Sequence, residues 1–336
     1  MLAKLQRELP LGDGWCYEPK WDGFRAVVFR DGDELYVQSR DLRPLNRYFP
    51  ELLPALMAAL PTRCVVDGEI VLPGPDGLDF DALQMRLHPA ESRVKKLAAE
   101  TPVSFVAFDL LARDSRDLRE EPFSVRRKEL ERALGPKVGS GVPAGGGTTV
   151  LLTPQLTDPD EAEAWFSELA PLGLEGVVAK RADLRYRPGD RAMVKVKKVH
   201  SVDCVVGGFR PAKSGQGIGS LLLGLYDDAG VLHYVGHTSS FKARERVEIR
   251  EKLRPLEGER SFSRTWPDAD VPAGRTPDSM SRWTVGREQQ PWTEVKPVLV
   301  CEVTVDKMQG ERFRHAATFV RWRDDKRPED CGFDQL

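Results

Sequence analysis

The texture of the chain changes once, near residue 199, and that change bounds every architecture the chain can adopt. Before it, β-rich runs alternate with segments of helical spacing. After it come short strands split by Gly-rich turns: DCVVGGFRP, SLLLGLYDD, VLHYVGHTS, VLVCEVTVDKM and TFVRWRDDK. The pattern predicts an α+β protein of two domains: a mixed α/β domain over 1–199, then a small closed or half-closed β-barrel over 200–336. The boundary is placed at Val199–Ser201, and 336 residues suffice for two cores.

Within the first half, FRAVVFRDGDELYVQS (24–39) reads as a hairpin turning at Asp31-Gly32-Asp33. Residues 47–60 carry apolar side chains at helical spacing. CVVDGEIVL (64–72) reads as a strand, and VSFVAFDLL (103–111) as a buried strand ending at Phe108-Asp109. Helices are expected at 123–134 and 158–170, with a surface loop in the Gly-rich 135–149. In the second half one helix is expected around 241–254, and 258–295 reads as an insertion of loops.

Composition excludes several classes. No run approaches ~18 apolar residues, so no membrane span is expected, and the N-terminus lacks a signal-peptide pattern. Five scattered cysteines never form a C-x-x-C pair; they predict reduced cytosolic thiols, not a disulfide framework or a zinc site. The net charge of -2 argues against indiscriminate binding of polyanions, so the placement of cations matters more than their number.

Charged islands interrupt the apolar runs. Glu18-Pro19-Lys20-Trp21-Asp22-Gly23-Phe24-Arg25 places a lysine among acids and an arginine just before a strand. Such a segment alone is usually a solvated loop. It also fits a lysine nucleophile, which must lose its proton first: an ordinary lysine is neutral only about one part in a thousand near neutral pH. Ser39-Arg40-Asp41 leaves a guanidinium at a strand end, and Asp67-Gly68-Glu69 offers either an edge turn or oxygen ligands for a hard cation. Phe108 is either core or a platform for a base. Glu175-Gly176-Val177-Val178-Ala179-Lys180 is a short strand with charge at both ends. Alternation puts Lys195 and Lys197 on one strand face, which suits a solvated edge or a polyphosphate. Arg321-Trp322-Arg323-Asp324-Asp325-Lys326-Arg327 closes the series.

Taken in order, these islands resemble the motifs of the covalent nucleotidyltransferases, the superfamily of polynucleotide ligases and mRNA capping enzymes. K-x-D-G-x-R matches as Lys20, Asp22, Gly23 and Arg25, and the remaining motifs follow across nearly the whole chain. EPKWDGFR, DGEIV, EGVVAK and RWRDDK are similar to bacterial ATP-dependent DNA ligases, especially the small ligase C type. Many of these carry a tryptophan where this chain has Met193, which can fill the same apolar space.

The resemblance implies an adenylation domain followed by an OB-fold barrel, with ATP and Mg²⁺ (or Mn²⁺) as cofactors. Lys20 would attack the α-phosphate to form lysyl-AMP, and the adenylate would pass to the 5′-phosphate of a DNA nick. It implies Lys195 and Lys197 on the α-phosphate, Glu69 and Glu175 as metal ligands, and Arg25, Arg40 and Arg191 toward ribose and phosphates. Phe108 and Val178 would sandwich the adenine, with Glu18 at its exocyclic amine and Asp22 serving the DNA-dependent steps. Arg323 and Lys326 would orient pyrophosphate and then swing away about a hinge near Lys198–Asp203. Only nineteen residues precede Lys20, which leaves no room for a nicotinamide-recognition module and favours ATP over NAD.

Nicked duplex DNA is the expected partner, gripped by its backbone through Arg210, Lys213, Lys242, Arg244, Arg246 and Arg250. A monomer in the bacterial cytosol, acting in DNA repair, is expected; Ku or a polymerase leaves no trace in the sequence. RNA joining or GTP-dependent capping is the alternative chemistry, and a non-catalytic OB-type nucleic-acid binder the alternative of another class.

Overall fold

The computed structural model describes the chain apart from residues 76, 136, 142, 144, 169–171, 175, 198–199, 214, 259–260, 263–276, 278–290, 307 and 310. It divides into two compact units, Met1–Lys198 and Val199–Leu336.

The first unit holds two main sheets. One is four-stranded: β1 (Ala3–Gln6) and β2 (Trp15–Pro19) lie at its edges, with β9 (Gly176–Arg181) and β10 (Met193–Lys197) between them. The other is seven-stranded around β3 (Phe24–Asp31), β4 (Glu34–Ser39), β5 (Arg63–Val71) and β6 (Ser104–Arg113). Its far edge is β7 (Gly139–Ser140) and β8 (Val150–Leu152), paired in parallel, so the Gly-rich 135–149 segment contributes an edge strand as well as a loop. β3 and β4 form the expected hairpin, with Gly32 at φ 60 in its turn. The anticipated helix at 47–60 is a 3₁₀ turn, Asn46–Tyr48, followed by α1 (Leu52–Ala59). The break falls at Phe49, which precedes Pro50 and is therefore biased away from helical ψ. Helices α2 (Phe80–Met85) and α3 (Glu91–Glu100) escaped the sequence reading; α4 (Phe123–Leu134) and α5 (Pro159–Glu168) match it.

Period-two alternation sorts the four-stranded sheet into two faces. Tyr17, Val177, Ala179, Val194 and Val196 pack with Ala162, Trp165 and Phe166 of α5. Glu18, Val178, Lys180, Lys195 and Lys197 occupy the alternate positions and therefore the opposite face. The larger sheet packs Ala26, Val28, Val66, Ile70, Phe105 and Ala107 with α1 and α4 residues in the principal core of this unit.

The second unit is a six-stranded sheet. Its order is β13 (Leu232–Thr238), β12 (Ile218–Tyr226), β11 (His200–Pro211), β14 (Val300–Val305), β15 (Thr318–Trp322), with Thr293–Glu294 also on β11. A bridge from Thr238 to Ala317 brings the end of β13 to the start of β15, so the sheet curls back on itself as a barrel does. Gly207, Gly208 and Gly224 lie where a Cβ would strike Phe262, Trp292 or Leu232, which accounts for the glycines within those strands. The helix α6 (Ala243–Leu253) is the one expected around 241–254. Most of the 258–295 insertion lies outside the described residues. No described helix is long and apolar enough to cross a membrane.

Candidate active site

Lys20 follows β2, and its backbone N–H donates to Gly176 O at 2.7 Å. Across the sheet, Gly176 is in register with Lys197, and two residues along, on the same face, Glu18, Val178 and Lys195 form the next row. Lys20, Lys195 and Lys197 are thus drawn into neighbouring rows of one face by strand pairing alone, from sequence positions about 175 residues apart. Two glycines make the close approach feasible. A Cβ on Gly176, at φ 148, would lie 2.1 Å from Val196 O. One on Gly23 would lie 2.2 Å from Ile70 O and 2.9 Å from Glu69 Cγ, so the turn after Lys20 rests directly on β5.

Glu69 sits on that strand opposite Arg25 of β3 and Val106 of β6. Burial pushes its carboxyl up to about 8; Lys20 and Arg25 draw it down, while Asp67 and Asp22 raise it further. The strand reading of Asp67-Gly68-Glu69 is the one realised: these residues lie inside a central strand, not at an edge turn.

The β5–β6 ladder slips between Asp67 and Gly68, which pair with Asp109 and Ala107 and leave Phe108 as the extra residue. β6 therefore does not end at Phe108-Asp109, as the sequence suggested, but continues to Arg113. Such a bulge re-aims side chains. Without it, Val106 and Asp109, three apart, would lie on opposite faces; with it both share the face of Glu69 and Asp67. Phe108 stays half-buried, with Lys180 Nζ 4.8 Å and Arg25 Cζ 5.8 Å from its ring centre.

Fixed ion pairs brace the surroundings. Arg25 grips Asp67 through Nε at 3.0 Å and Nη2 at 2.5 Å, and its Nη1 donates to Met1 O. Tyr186 Oη donates to Asp67 Oδ2 at 2.9 Å. Arg126, fully buried, holds both oxygens of Asp109 at 2.8 and 2.9 Å. Glu18 is met by Lys180 Nζ at 2.6 Å and by Gln155 Nε2 at 3.2 Å.

Residues 1–197 match the ATP dependent DNA ligase domain, and residues 214–326 the ATP dependent DNA ligase C terminal region. The chain belongs to the ATP-dependent DNA ligases. It is 48% identical to DNA ligase C of Mycobacterium tuberculosis, an alignment covering 100% of this chain and 92% of that one. It is 46% identical to DNA ligase C1 of Mycolicibacterium smegmatis, again over 100% of this chain and 92% of the other. A solved Lig E DNA ligase shares the fold, with a TM-score of 0.55 at 17% identity over 96% of this chain and 99% of that one. The fold is accordingly the ligase core, a nucleotidyltransferase domain with an OB-type domain after it, and ATP is the nucleotide of the family.

Within this ligase the anticipated residues separate into groups. Glu18, Lys20, Val178, Lys195 and Lys197 gather on the four-stranded sheet, and Arg25, Glu69 and Phe108 on the larger one. Asp22 is buried in the turn between them. Arg25, expected to address ribose and phosphates, spends its guanidinium on Asp67, Met1 and Tyr186 and acts as a brace. Arg40 is exposed just past Ser39, which is in register with Ala26, and Arg191 is exposed before β10. Glu175 lies outside the described residues, as do Lys198 and Val199 of the expected hinge.

In the second unit, Arg323 and Lys326 converge on Asp203 of β11: Arg323 Nη1 is 2.9 Å from each carboxylate oxygen, and Lys326 Nζ 3.0 Å from Oδ2. Arg323 also pairs with Asp325, which lowers that carboxyl to about 2. Of the expected DNA contacts, Lys213, Lys242 and Arg244 are exposed, and Arg210 donates to Pro277 O. Arg246 and Arg250 are otherwise engaged. Arg246 donates to Ile218, Gly219 and Ser239 carbonyls, while Arg250 pairs with Glu257 and lies over Phe209.

Sequence reasoning gave no role to Arg127 or Tyr186 and named Asp203 only as a bound of the expected hinge. Nothing local marks them; each matters through a partner 109 or more positions away, Glu18, Asp67 or Arg323. Lys180 stood inside a quoted motif without a role, and Asp67, offered there as a cation ligand, is instead gripped by Arg25.

Among the described residues no group of three His, Cys, Asp or Glu side chains converges as a metal cage. Mg²⁺ does not require one: it keeps several waters and binds through one or two carboxylates plus substrate phosphates. Glu69 fits that demand, since a carboxyl raised by burial and neighbouring acids is stabilised as the anion by a dication.

Proposed function

We propose that this ligase seals nicks in duplex DNA, with Lys20 as the covalent nucleophile. The observation that carries the reading is the register that sets Lys20 beside Gly176, and Gly176 opposite Lys197, on the face shared with Lys195 and Glu18. Lys20 Nζ, as the free amine, attacks the α-phosphorus of ATP; the bond to the bridging oxygen breaks and pyrophosphate departs with the electron pair. The product is a phosphoramidate on Lys20. Lys195 and Lys197 neutralise the non-bridging oxygens, where charge develops. Glu69, with Glu175, would hold Mg²⁺, which offsets phosphate charge when bound. Val178 and Phe108 flank the base. A DNA 5′-phosphate oxygen next displaces Lys20 from the adenylate, and attack by the 3′-hydroxyl releases AMP and joins the strand.

The second unit supplies Arg323 and Lys326 for the leaving pyrophosphate and Arg210, Lys213, Lys242 and Arg244 for backbone phosphates, a sequence-tolerant mode suited to any nick. The two domains are proposed to divide at 199/200 into adenylation and OB-fold parts. A cytosolic site of action, in DNA repair, agrees with five buried cysteines that are all free thiols.

Two assays test the reading. Incubation with α-labelled ATP or GTP should mark the wild-type protein with ATP and leave Lys20→Ala unmarked. A labelled nicked duplex with ATP and Mg²⁺ should be sealed only by the wild type. Labelling by GTP alone would transfer the chain to capping-type chemistry.

A further inference from the structure

Glu18 is buried at 2% exposure, and both of its carboxylate oxygens are held by neighbours. Its Oε2 lies 2.6 Å from Lys180 Nζ, itself enclosed between the rings of Phe108 and Phe123 at 4.8 and 4.6 Å. Its Oε1 accepts from Gln155 Nε2 at 3.2 Å and lies 3.6 Å from Arg127 Nη1. That Nη1 is buried without a hydrogen-bond partner, although the rest of the guanidinium is tied to Thr153 O and Glu131. Thr153 Oγ1 in turn accepts from Trp21 Nε1, the side chain next to Lys20. The network therefore ties the orientation of one carboxylate to the nucleophile turn.

We propose that Lys180 and Arg127 are positioning residues that hold and aim the Glu18 carboxylate, and thereby select a purine bearing a 6-amino group over one bearing a 6-oxo group. The inference rests on the proposed reading that Glu18 meets the exocyclic amine of the base. The chemistry is simple. An ionised carboxylate only accepts hydrogen bonds, and its two oxygens have room for about four donors. Lys180 and Gln155 occupy two of these positions. A 6-amino group is a donor and completes the set, whereas a 6-oxo group presents an acceptor to an anion. Without Lys180 the carboxylate is no longer held in one orientation, and its advantage for a 6-amino donor falls. Sites built to hydrogen-bond a specific group reject a mismatch strongly, because buried polar groups are left unpaired.

The test compares self-labelling by ATP and ITP, which carry 6-amino and 6-oxo purines, measured as kcat/KM for each. Wild type should prefer ATP by at least about a hundredfold. Lys180→Met should lower the ATP/ITP ratio by about tenfold or more, chiefly through KM for ATP; Arg127→Met should lower it less, and Lys180→Arg should restore it. Lys180→Met leaves an unmatched buried carboxylate and is checked by thermal melting. If it fails to fold, the double variant Glu18→Gln/Lys180→Met, which removes both charges, decides: a glutamine amide both donates and accepts, so its ratio should approach one. A ratio unchanged from wild type in the folded variants overturns the inference. Wild type unlabelled by ATP is a different result, for it removes the ligase reading itself.

Discussion

Asp203 and Arg323, 120 positions apart, meet through a guanidinium nitrogen 2.9 Å from each carboxylate oxygen, and Lys326 adds its ammonium at 3.0 Å. Two cations proposed to meet pyrophosphate are thus pre-oriented by an acid of their own unit. Asp203 is buried and its backbone is pinned by Gln335, so it is a rigid anchor.

Two variants follow from that anchor. Lys326→Ala is expected to abolish self-adenylation, by a hundredfold or more, while still sealing a nick that already carries AMP on its 5′-phosphate. Asp203→Asn, which keeps shape but loses charge, should slow adenylation about tenfold through misorientation of Arg323 and spare sealing of the pre-adenylated nick. Rates measured separately on ATP and on the adenylated duplex check both. Equal loss of the two activities in Lys326→Ala would remove the leaving-group role.

Gly23 and Gly176 provide a second expectation. Each Cβ would meet a carbonyl oxygen at close to 2 Å, backbone atoms that cannot swing aside: 2.2 Å from Ile70 O and 2.1 Å from Val196 O. Gly23→Ala and Gly176→Ala should each destabilise the first unit by about 3 kcal/mol. Gly32→Ala, with nothing within 4 Å, bears only the strain of its φ of 60 and should cost about 1 kcal/mol. Urea titrations compare the three; equal midpoints would remove the steric argument.

The β3–β4 hairpin and the alternation that puts Lys195 and Lys197 on one face were legible because each is a local pattern. α2 and α3 were not read from the sequence. The β6 bulge was not legible either: VSFVAFDLL is a nearly continuous apolar run, and only pairing with β5 leaves Phe108 as the extra residue. Braces such as Tyr186 to Asp67 are tertiary matches between side chains whose own neighbourhoods carry no signal.

Arg126 and Asp109 form such a brace in full burial, with Arg126 also donating to Glu121 O and Leu184 O. Removing one partner strands a buried charge. Arg126→Met should therefore cost roughly 3–5 kcal/mol, more than the gain from the pair itself. Pairing it with Asp109→Leu should recover part of that loss, since neither charge remains. Chemical denaturation of the two single variants and the double gives the coupling; simple additivity would show that the pair is not the unit of stability.

His237 in β13 carries a pH dependence into the barrel. Burial lowers its imidazole below the usual value, and the charge of Arg210 lowers it further. The folded chain then binds a proton less readily than the unfolded chain. This group's contribution is present above about pH 6.5 and is lost as pH falls through the depressed folded value. Thermal melts from pH 7.5 down to 5 should show the wild type losing stability faster than His237→Gln. Arg210→Gln removes the charge but leaves the burial, so its slope should lie between the two. If all three melting curves fall in parallel, His237 is not the titrating group on the acid side.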